Sequence, residues 1–471
     1  MEKQRKSEIL LALIRDGKPM TGHDKLNLIF QLSLPSILAQ VTSVMMFFID
    51  QAMVGSLGAE ASAAIGLVES STWLFGSLTS AASMGFSVQV AHFIGANDFV
   101  KAREVLRHAL IVTSCLSVLL MLVAASISGQ LPYWLGGGAD IAGDASRYFL
   151  IFSLTAPFFQ MNTLASAMLK CEGNMRVSSL MSITLCVLDV VFNFFLIFPT
   201  RHVDVLGMHL WIPGAGWGVT GAALGTALAF VVVSLSQGWL AFFRSKILSL
   251  RLPHAPFRFV SSYLVNALKI GAPMALQSFL MSSAQIVSTM IIAPLGNIAI
   301  AANTFAITAE SLCYMPGYGI GDAATTLVGQ SMGAGRQDLC RSFARMTVFS
   351  GMAIMALMGV VMFVFAPELM GLMTPVAEIR DLGAQCLRIE AFAEPMFAAS
   401  IVTYCVCVGA GDTLGPALIN LGSMWLVRLT LAALLATRYG LPGVWFAMAV
   451  ELTLRGIMFL VRLFRGKWNK L

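Results

Sequence analysis

Long apolar segments recur along the whole chain, and short polar stretches separate them. Within each segment the apolar residues are continuous and do not alternate with polar ones. A membrane-spanning helix needs about 20 apolar residues, whereas the strands of a transmembrane β-barrel alternate. The pattern therefore predicts twelve membrane-spanning helices. They cover approximately residues 27–53, 60–91, 105–129, 146–170, 176–198, 217–243, 261–293, 297–326, 342–366, 377–407, 413–438 and 441–464.

The composition of the chain indicates an integral membrane protein. Of its 471 residues, 57 % are hydrophobic and only 11 % are charged, against roughly 25 % charged residues in a soluble domain. Twelve spans with short loops leave no room for a large soluble domain. A further apolar patch, from Ile9 to Ile14, is too short to span a bilayer, and we expect it to lie on the membrane surface.

Lysine and arginine are distributed unequally between the two sides of the predicted membrane. With the N-terminus placed in the cytoplasm, 24 of the 30 basic residues fall inside and five outside, while Arg428 falls within the eleventh segment. Cytoplasmic loops are enriched in Lys and Arg. The bias predicts a multi-pass protein of the cytoplasmic (inner) membrane with both termini in the cytoplasm. The net charge of +6 then reflects topology, and we expect no nucleic-acid partner.

The second half of the chain repeats landmarks of the first half. At a shift of 238 residues Pro35 meets Pro273 and Gly95 meets Gly333, whereas near the end of each half the shift falls to 222. The first half therefore has 16 additional residues, in the loop 199–217. Six segments lie within the shift, so the halves share one orientation and are related by an axis along the membrane normal. Secondary transporters are commonly built in this way.

Several motifs, in their order and spacing, resemble those of the MATE (multidrug and toxic compound extrusion) family. The resemblance extends over residues 27–464. The motifs are LPSI from Leu34, Asp50 with MVGSLGAEASAAIG from Met53, GVTGAALGT from Gly218, APLGNIAIAAN from Ala293, MPGYGIG from Met315, VGQSMGAG from Val328 and GAGDT from Gly409.

This resemblance implies an all-α membrane protein whose twelve transmembrane helices form two six-helix lobes related by a pseudo-twofold axis along the membrane normal. It implies a V-shaped cavity and export of lipophilic, mostly cationic small molecules in exchange for inflowing H⁺ or Na⁺. We expect a monomer in the lipid bilayer, with no cofactor and no enzymatic activity. The corresponding division is a cytoplasmic N-terminal arm (1–26), an N-lobe (27–243), a cytoplasmic linker (244–260), a C-lobe (261–464) and a cytoplasmic tail (465–471).

Acidic side chains inside apolar segments are the candidate functional residues, because an ionised carboxylate at the bilayer centre costs about 2.5–3.5 kcal/mol on insertion scales. Asp50 and Asp189 lie in the first half, and Asn193 shares a helix face with Asp189, four residues away. Their oxygens suit Na⁺ or a proton, although polar contacts between helices would also explain them. The resemblance implies a cation site at Asp50, Asp189, Asn193 and Thr226. Some members place Asn before Asp in the fifth segment, the reverse of the order here.

The second half offers Glu310 and Glu394 as a possible substrate or proton site. Glu394 precedes Pro395, where we expect the helix to be irregular. One branch of the family carries a glutamate in the seventh segment, and by spacing this position is Met281 here. A sodium site of that branch is therefore expected to be incomplete in the C-lobe. Glu69 and Glu451 are weaker candidates.

Two further residues receive expectations from their positions. Pro35, in the first third of the first segment, removes a backbone hydrogen bond. The resemblance suggests a hinge there, although its repeat partner Pro273 favours a static kink equally well. Asp322 is expected at the cytoplasmic end of the eighth segment.

Two motif matches point to other chemistry, and two other functions are alternatives to export. The stretch 329–333 fits G-x-S-x-G, but that motif requires a preceding strand. The stretch 216–221 fits the dinucleotide fingerprint but lies in no βαβ unit, so close packing of helices explains its glycines better. A flippase of lipid-linked saccharides from the same superfamily is the first alternative function. An intramembrane enzyme is the second, although no catalytic cluster supports it.

Overall fold

The computed structural model describes residues 2–205 and 208–469, and nearly all of them are helical. Wider π-helical turns extend α8 over Leu240–Arg244 and join α15 to α16 over Ser423–Arg428, and a 3₁₀ turn, Ala293–Leu295, follows α9. In chain order the elements are α1 (Glu2–Arg15), α2 (Gly22–Gly55), α3 (Ala59–Gly95), α4 (Phe99–Ile127), α5 (Leu131–Trp134), α6 (Ala139–Glu172), α7 (Met175–Ile197), β1 (Pro199–Val205), β2 (Met208–Ala215), α8 (Gly218–Trp239), α9 (Ser261–Ile292), α10 (Asn297–Gly333), α11 (Gln337–Val364), α12 (Ala366–Met373), α13 (Ala377–Ala391), α14 (Glu394–Gly409), α15 (Leu414–Gly422), α16 (Leu429–Tyr439) and α17 (Leu441–Arg465).

The helices form a multi-pass membrane protein with the predicted twelve spans. In the described chain, nine helices are long and apolar enough to cross a membrane when α15 and α16 count as one, and α13 with α14 makes a tenth. The remaining two spans are α3 and α6, which have 37 and 34 residues and are more polar. These two helices pack along each other within the first half. The first six spans (α2 to α8) form the N-lobe and the last six (α9 to α17) the C-lobe, as predicted.

The helix boundaries reproduce the internal repeat. Helix α3 begins at Ala59 and ends at Gly95, and α10 begins at Asn297 and ends at Gly333, so both boundaries lie 238 residues apart. Both helices follow a glycine with positive φ, Gly58 at 119° and Gly296 at 101°, a conformation that is readily accessible only to glycine.

The 16 additional residues of the first half form a β-hairpin rather than an irregular loop. Strands β1 and β2 pair antiparallel, with Pro199 opposite Ala215 and His202 opposite Trp211. At its base the guanidinium of Arg201 lies 4.2 Å from the ring centroid of Phe198. The hairpin therefore forms the connection between α7 and α8.

The fourth span of the C-lobe is broken. Helices α13 and α14 are bent by 61° relative to each other at a break of a few residues. Pro395 lies in the first turn of α14, where its missing N–H is tolerated. The irregular backbone expected beside Glu394 is therefore present.

The two lobes contact each other at the end of the molecule where α2 begins and α3 ends. Leu28 and Leu32 of α2 pack there with Leu327 of α10 and Phe343 of α11. Along the chain the spans alternate in direction, so the ends of α6, α8, α10 and α17 lie at this same end. We call this region the closed end.

A polar contact within the closed end gives Asp322 a partner on the other lobe. Its carboxylate Oδ2 lies 2.8 Å from Lys170 Nζ of the N-lobe and accepts a hydrogen bond of 2.5 Å from Ser36 Oγ. Asp322 lies in the last third of α10, which continues to Gly333, and its position towards the closed end agrees with expectation. It also joins the lobes, a role that no local sequence pattern indicates.

Helix α1 also differs from expectation. The patch from Ile9 to Ile14 belongs to this helix, and Leu11 and Ile14 are buried against the cluster that includes Leu28 and Phe343. Arg336 of the C-lobe donates to the carbonyls of Leu13 and Lys18 at 3.3 and 2.7 Å. On the N-lobe side, Asn97 Nδ2 donates to the carbonyl of Arg15 and Lys246 pairs with Glu8. Helix α1 therefore lies across both lobes at the closed end, where Leu11 and Ile14 are buried in protein and are not available to a membrane surface.

Candidate cation site and cavity

Two carboxyl groups and one amide form a cluster in the N-lobe, between α2 and α7. Asn193 Nδ2 donates to Asp50 Oδ1 at 3.1 Å and to Asp189 Oδ2 at 3.3 Å. Asp189 and Asn193 are 1 % and 2 % exposed, whereas Asp50 is half-buried. The shared helix face predicted for Asp189 and Asn193 is present, and α2 brings Asp50 to it.

Thr226 of α8 completes this cluster. Its side chain and that of Asp50 both lie beside the Asp189 carboxyl. A Cβ at Gly225, the preceding residue, would overlap Asn193, so only glycine allows α8 to approach α7 this closely. The structure thus brings together all four residues of the predicted cation site. We call them the carboxyl–amide cluster.

The oxygens of this cluster are suited to a small cation. Asp189 Oδ1 and Asn193 Oδ1 are buried and have no hydrogen-bond partner among the described residues. Carboxylate, amide carbonyl and hydroxyl oxygens are hard donors, which suit hard cations. Within the ranges 2–205 and 208–469 no group of three or more His, Cys, Asp or Glu side chains is arranged to hold a metal ion. The donor set fits a proton or Na⁺.

A cavity of about 510 Å³ opens directly onto the carboxyl–amide cluster. Asp50, Asn193 and Thr226 form part of its wall, and Asp189 lies behind them. Its volume falls in the range of about 300–1,000 Å³ typical of sites for drug-sized molecules. All lining residues belong to the N-lobe. They include Met46, Phe47, Gln51, Glu69, Trp73, Tyr148, Phe152, Thr155, Phe159 and Phe230.

The cavity wall is aromatic and acidic. The rings of Phe159 and Phe230 are 5.1 Å apart, and those of Phe47 and Trp73 are 6.5 Å apart in an edge-to-face arrangement. Asp50 and Glu69 are the charged residues of the described lining, which contains no lysine or arginine. Aromatic faces and carboxylates both attract cations.

Pro35 lies within an uninterrupted α2, which extends from Gly22 to Gly55. Its neighbour Ser36 donates to Asp322 at the closed end, well before the carboxyl–amide cluster at Asp50. The hinge remains a prediction, and the structure places Pro35 beside the polar contact at the closed end, well before Asp50 on the same helix.

The C-lobe has its own buried carboxyl groups. Glu310 of α10 is 5 % exposed and Glu394 of α14 is completely buried, and the two lie close enough to interact electrostatically. Glu390, near the end of α13, is also completely buried beside them and was missed in the sequence. The carboxyl oxygens of Glu390 and Glu394 have no hydrogen-bond partner in the described chain. A role for Glu310 and Glu394 in substrate or proton binding remains a prediction.

Basic residues compensate part of this C-lobe charge. Arg455 forms a bidentate pair with Glu451, with both hydrogen bonds at 2.8 Å. Arg428 interacts electrostatically with Glu310, Glu390 and Glu451. Glu451 therefore has a partner within its own helix, which favours a structural role.

Met281 and the two motif matches have packing explanations. Met281 contacts the apolar cluster of Ala284, Met424 and Leu429. Gly333 contacts the backbone of His92, and Gly221 contacts the backbone of Leu196, so each glycine lies at a close approach of two helices.

Comparisons with known proteins agree with the two-lobe helical architecture. The family model MatE matches residues 35–195 and 273–434. A protein of Thermotoga maritima named "Probable multidrug resistance protein NorM" is 24 % identical over 444 residues, which are 94 % of this chain and 93 % of the relative. A Neisseria meningitidis protein of the same name is 25 % identical over 438 residues, 92 % of each chain.

Solved structures show the same fold. A MATE crystal structure in complex with MaL6 superposes with a TM-score of 0.87 at 21 % identity, covering 98 % of this chain and 99 % of the other. A second neighbour superposes with a TM-score of 0.84 at 21 % identity, and the alignment covers 96 % of this chain and 100 % of the other. It is a MOP superfamily transporter from Pyrococcus furiosus, described as having a binding pocket of reverse polarity that suggests a different function.

Proposed function

The chain belongs to the MatE family, and from this premise we propose that it exports lipophilic organic cations across the cytoplasmic membrane in exchange for H⁺ or Na⁺. It acts as a monomer with both termini in the cytoplasm, so the closed end faces the cytoplasm. The observation that carries the proposal is that the carboxyl–amide cluster forms one wall of the N-lobe cavity. The ion and the organic cation then occupy adjacent positions in one lobe.

The coupling follows from electrostatics within the cluster. Two carboxylates held by one amide repel each other strongly in a medium of low dielectric constant. A proton or Na⁺ at Asp50, Asp189, Asn193 and Thr226 neutralises one of the two negative charges, which weakens both this repulsion and the attraction of a cationic substrate. Ion entry therefore lowers substrate affinity, and by linkage substrate binding favours ion release. Rearrangement of α2 near Pro35 would connect these events with opening of the closed end.

The polarity of the cavity disfavours a flippase of lipid-linked saccharides. Such a substrate carries a pyrophosphate, which requires basic groups. The described lining instead contains two carboxyl groups and no basic side chain.

Transport by purified protein in proteoliposomes tests this proposal. We expect ethidium to move when one of two gradients, of pH or of Na⁺, is imposed. The gradient that drives the movement identifies the coupling ion. Asp50→Asn should abolish gradient-driven movement because it leaves one carboxylate in the cluster and no ion-dependent change of charge at Asp50. Asp144→Asn, at a half-exposed position paired with Arg147 at 3.9 Å, is the matched control and should transport normally.

Two results would contradict the proposal. Wild-type protein of verified orientation that moves ethidium with neither gradient would favour the flippase, and lipid-linked saccharides would be assayed next. Full coupled transport by a variant carrying both Asp50→Asn and Asp189→Asn would exclude the carboxyl–amide cluster as the coupling site.

A further inference from the structure

Glu69 presents a second carboxyl group to the cavity, apart from the carboxyl–amide cluster. It lies on α3, half-buried, on a stripe of that helix which also places Ile65, Thr72, Trp73 and Gly76 on the cavity wall. These residues are spaced three and four apart, so they share one helix face. The face belongs to neither α2, α7 nor α8, which supply the cluster.

Trp73 lies one helical turn beyond Glu69 and covers the same part of the wall. Its indole Nε1 lies 3.4 Å from Glu69 Oε1, a long hydrogen bond that orients the ring beside the carboxylate. The ring is supported edge-on by Phe47 and remains 65 % exposed. A large tryptophan surface therefore stays open for a ligand, immediately next to a negative charge.

The charge of Glu69 has no compensating cation in the cavity. No lysine or arginine lines the described wall, and the hydrogen bond from Trp73 comes from a neutral donor. Asp50, by contrast, shares an amide donor with Asp189. An uncompensated carboxylate in a partly desolvated aromatic wall favours a positively charged ligand, and tryptophan is the aromatic side chain that attracts cations best.

We propose that Glu69 and Trp73 form the subsite that selects planar aromatic monocations, with the ring system on Trp73 and the positive charge near Glu69. The inference rests on the proposed export function. It assigns ion coupling and substrate selection to different residues. Asp50 couples transport to the ion, whereas Glu69 determines which substrate binds. Changing Glu69 should therefore raise KM with little change in the maximal rate, while changing Asp50 should remove the gradient-driven rate.

A pair of probes separates charge from shape. Ethidium is a permanent phenanthridinium cation, and phenanthridine has the same ring system without that charge at neutral pH. Binding is measured on purified protein without a gradient, by ethidium fluorescence and by competition with phenanthridine, and KM is measured in proteoliposomes. For Glu69→Gln we expect Kd and KM for ethidium to rise about tenfold, equivalent to 1.4 kcal/mol, with phenanthridine affinity unchanged. Glu69→Asp should restore part of the ethidium affinity.

The matched control is Glu60→Gln, the same substitution at an exposed position in the first turn of the same helix. It should leave both probes unaffected. If Glu69→Gln weakens the binding of ethidium and of phenanthridine equally, Glu69 only shapes the cavity wall and the subsite is overturned. The subsite is also overturned if the wild-type protein binds ethidium no better than phenanthridine. Charge-selective, Glu69-dependent binding without gradient-driven movement would instead support the subsite and overturn the coupled export.

Discussion

Asn193 is the residue on which the carboxyl–amide cluster depends, because its single amide nitrogen donates to both Asp50 and Asp189. Its spacing from Asp189 was visible in the sequence as two polar residues on one helix face. The approach of Asp50 and Thr226 to that face was implied by the family resemblance and not by local pattern. Glu390 was overlooked although it lies near the middle of the predicted span 377–407. The signal used for Glu310 and Glu394, a carboxyl group inside an apolar segment, would have identified it.

Gly225→Ala should disable the cluster without altering any of its polar groups. The added Cβ overlaps Asn193 and displaces its amide from the two carboxyl groups. We expect at least a tenfold loss of gradient-driven ethidium transport and a loss of about 1–3 kcal/mol in stability, the usual cost of overpacking. Gly143→Ala, in open space on α6, is the control for transport and thermal unfolding. Normal transport by Gly225→Ala would show that the position of Asn193 is not critical.

At the scale of elements, apolar patterning was sufficient to predict the twelve spans, and proline and glycine positions that coincide at a shift of 238 residues predicted the repeat. Pro395 indicated an irregular backbone between α13 and α14, but neither the size of the 61° bend nor the π-helical turns could be predicted, because these depend on packing between distant segments. For the hairpin, the sequence predicted only that the loop 199–217 contains 16 additional residues. Its strands are short, and their pairing leaves little signal in a loop of 16 additional residues.

The crossing of α3 and α10 at the closed end offers a test at this scale. A Cβ at Gly95 would overlap the backbone of Gln330, and a Cβ at Gly333 that of His92. Gly95→Ala and Gly333→Ala should each cost about 1–3 kcal/mol of stability. Both substitutions push the same two helices apart. The double variant should therefore lose at least 0.5 kcal/mol less stability than the sum of the two single losses, within the usual coupling range of about 0.5–3 kcal/mol. Strict additivity in thermal unfolding would show that the two contacts are independent.

For the whole molecule, the decisive contacts are those that join the lobes at the closed end. The sequence predicted the lobes and their common orientation, since the repeat contains an even number of spans. It did not predict the contact between Asp322 and the other lobe, because an acidic residue in an apolar segment does not reveal its partner. Lys170 is separated from Asp322 by 152 residues, and only the tertiary fold brings them together.

Breaking the Lys170–Asp322 pair should shift the molecule towards opening at the closed end. Both side chains are about one quarter exposed. Lys170→Met or Asp322→Asn alone leaves a partner charge uncompensated and should lower expression and thermal stability. The double variant should recover stability, because replacing both partners is much less costly than removing one. When Ser36→Cys is introduced as a probe of the closed end, this cysteine should react faster with thiol reagents in the double variant than in the parent. Equal reactivity of the double variant and the Ser36→Cys parent would contradict this role.

Helix α1 gives the chain an order of assembly. It is synthesised before both lobes, yet its carbonyl at Leu13 accepts a hydrogen bond from Arg336, which is 323 residues further along. Until the second lobe has been made and inserted, Leu11 and Ile14 have only part of their docking surface. Docking of α1 is consequently among the last steps of biogenesis, and an undocked N-terminus marks an unfinished molecule. Protease sensitivity of residues 2–15 would then report completion of the whole chain rather than the folding of its first segment.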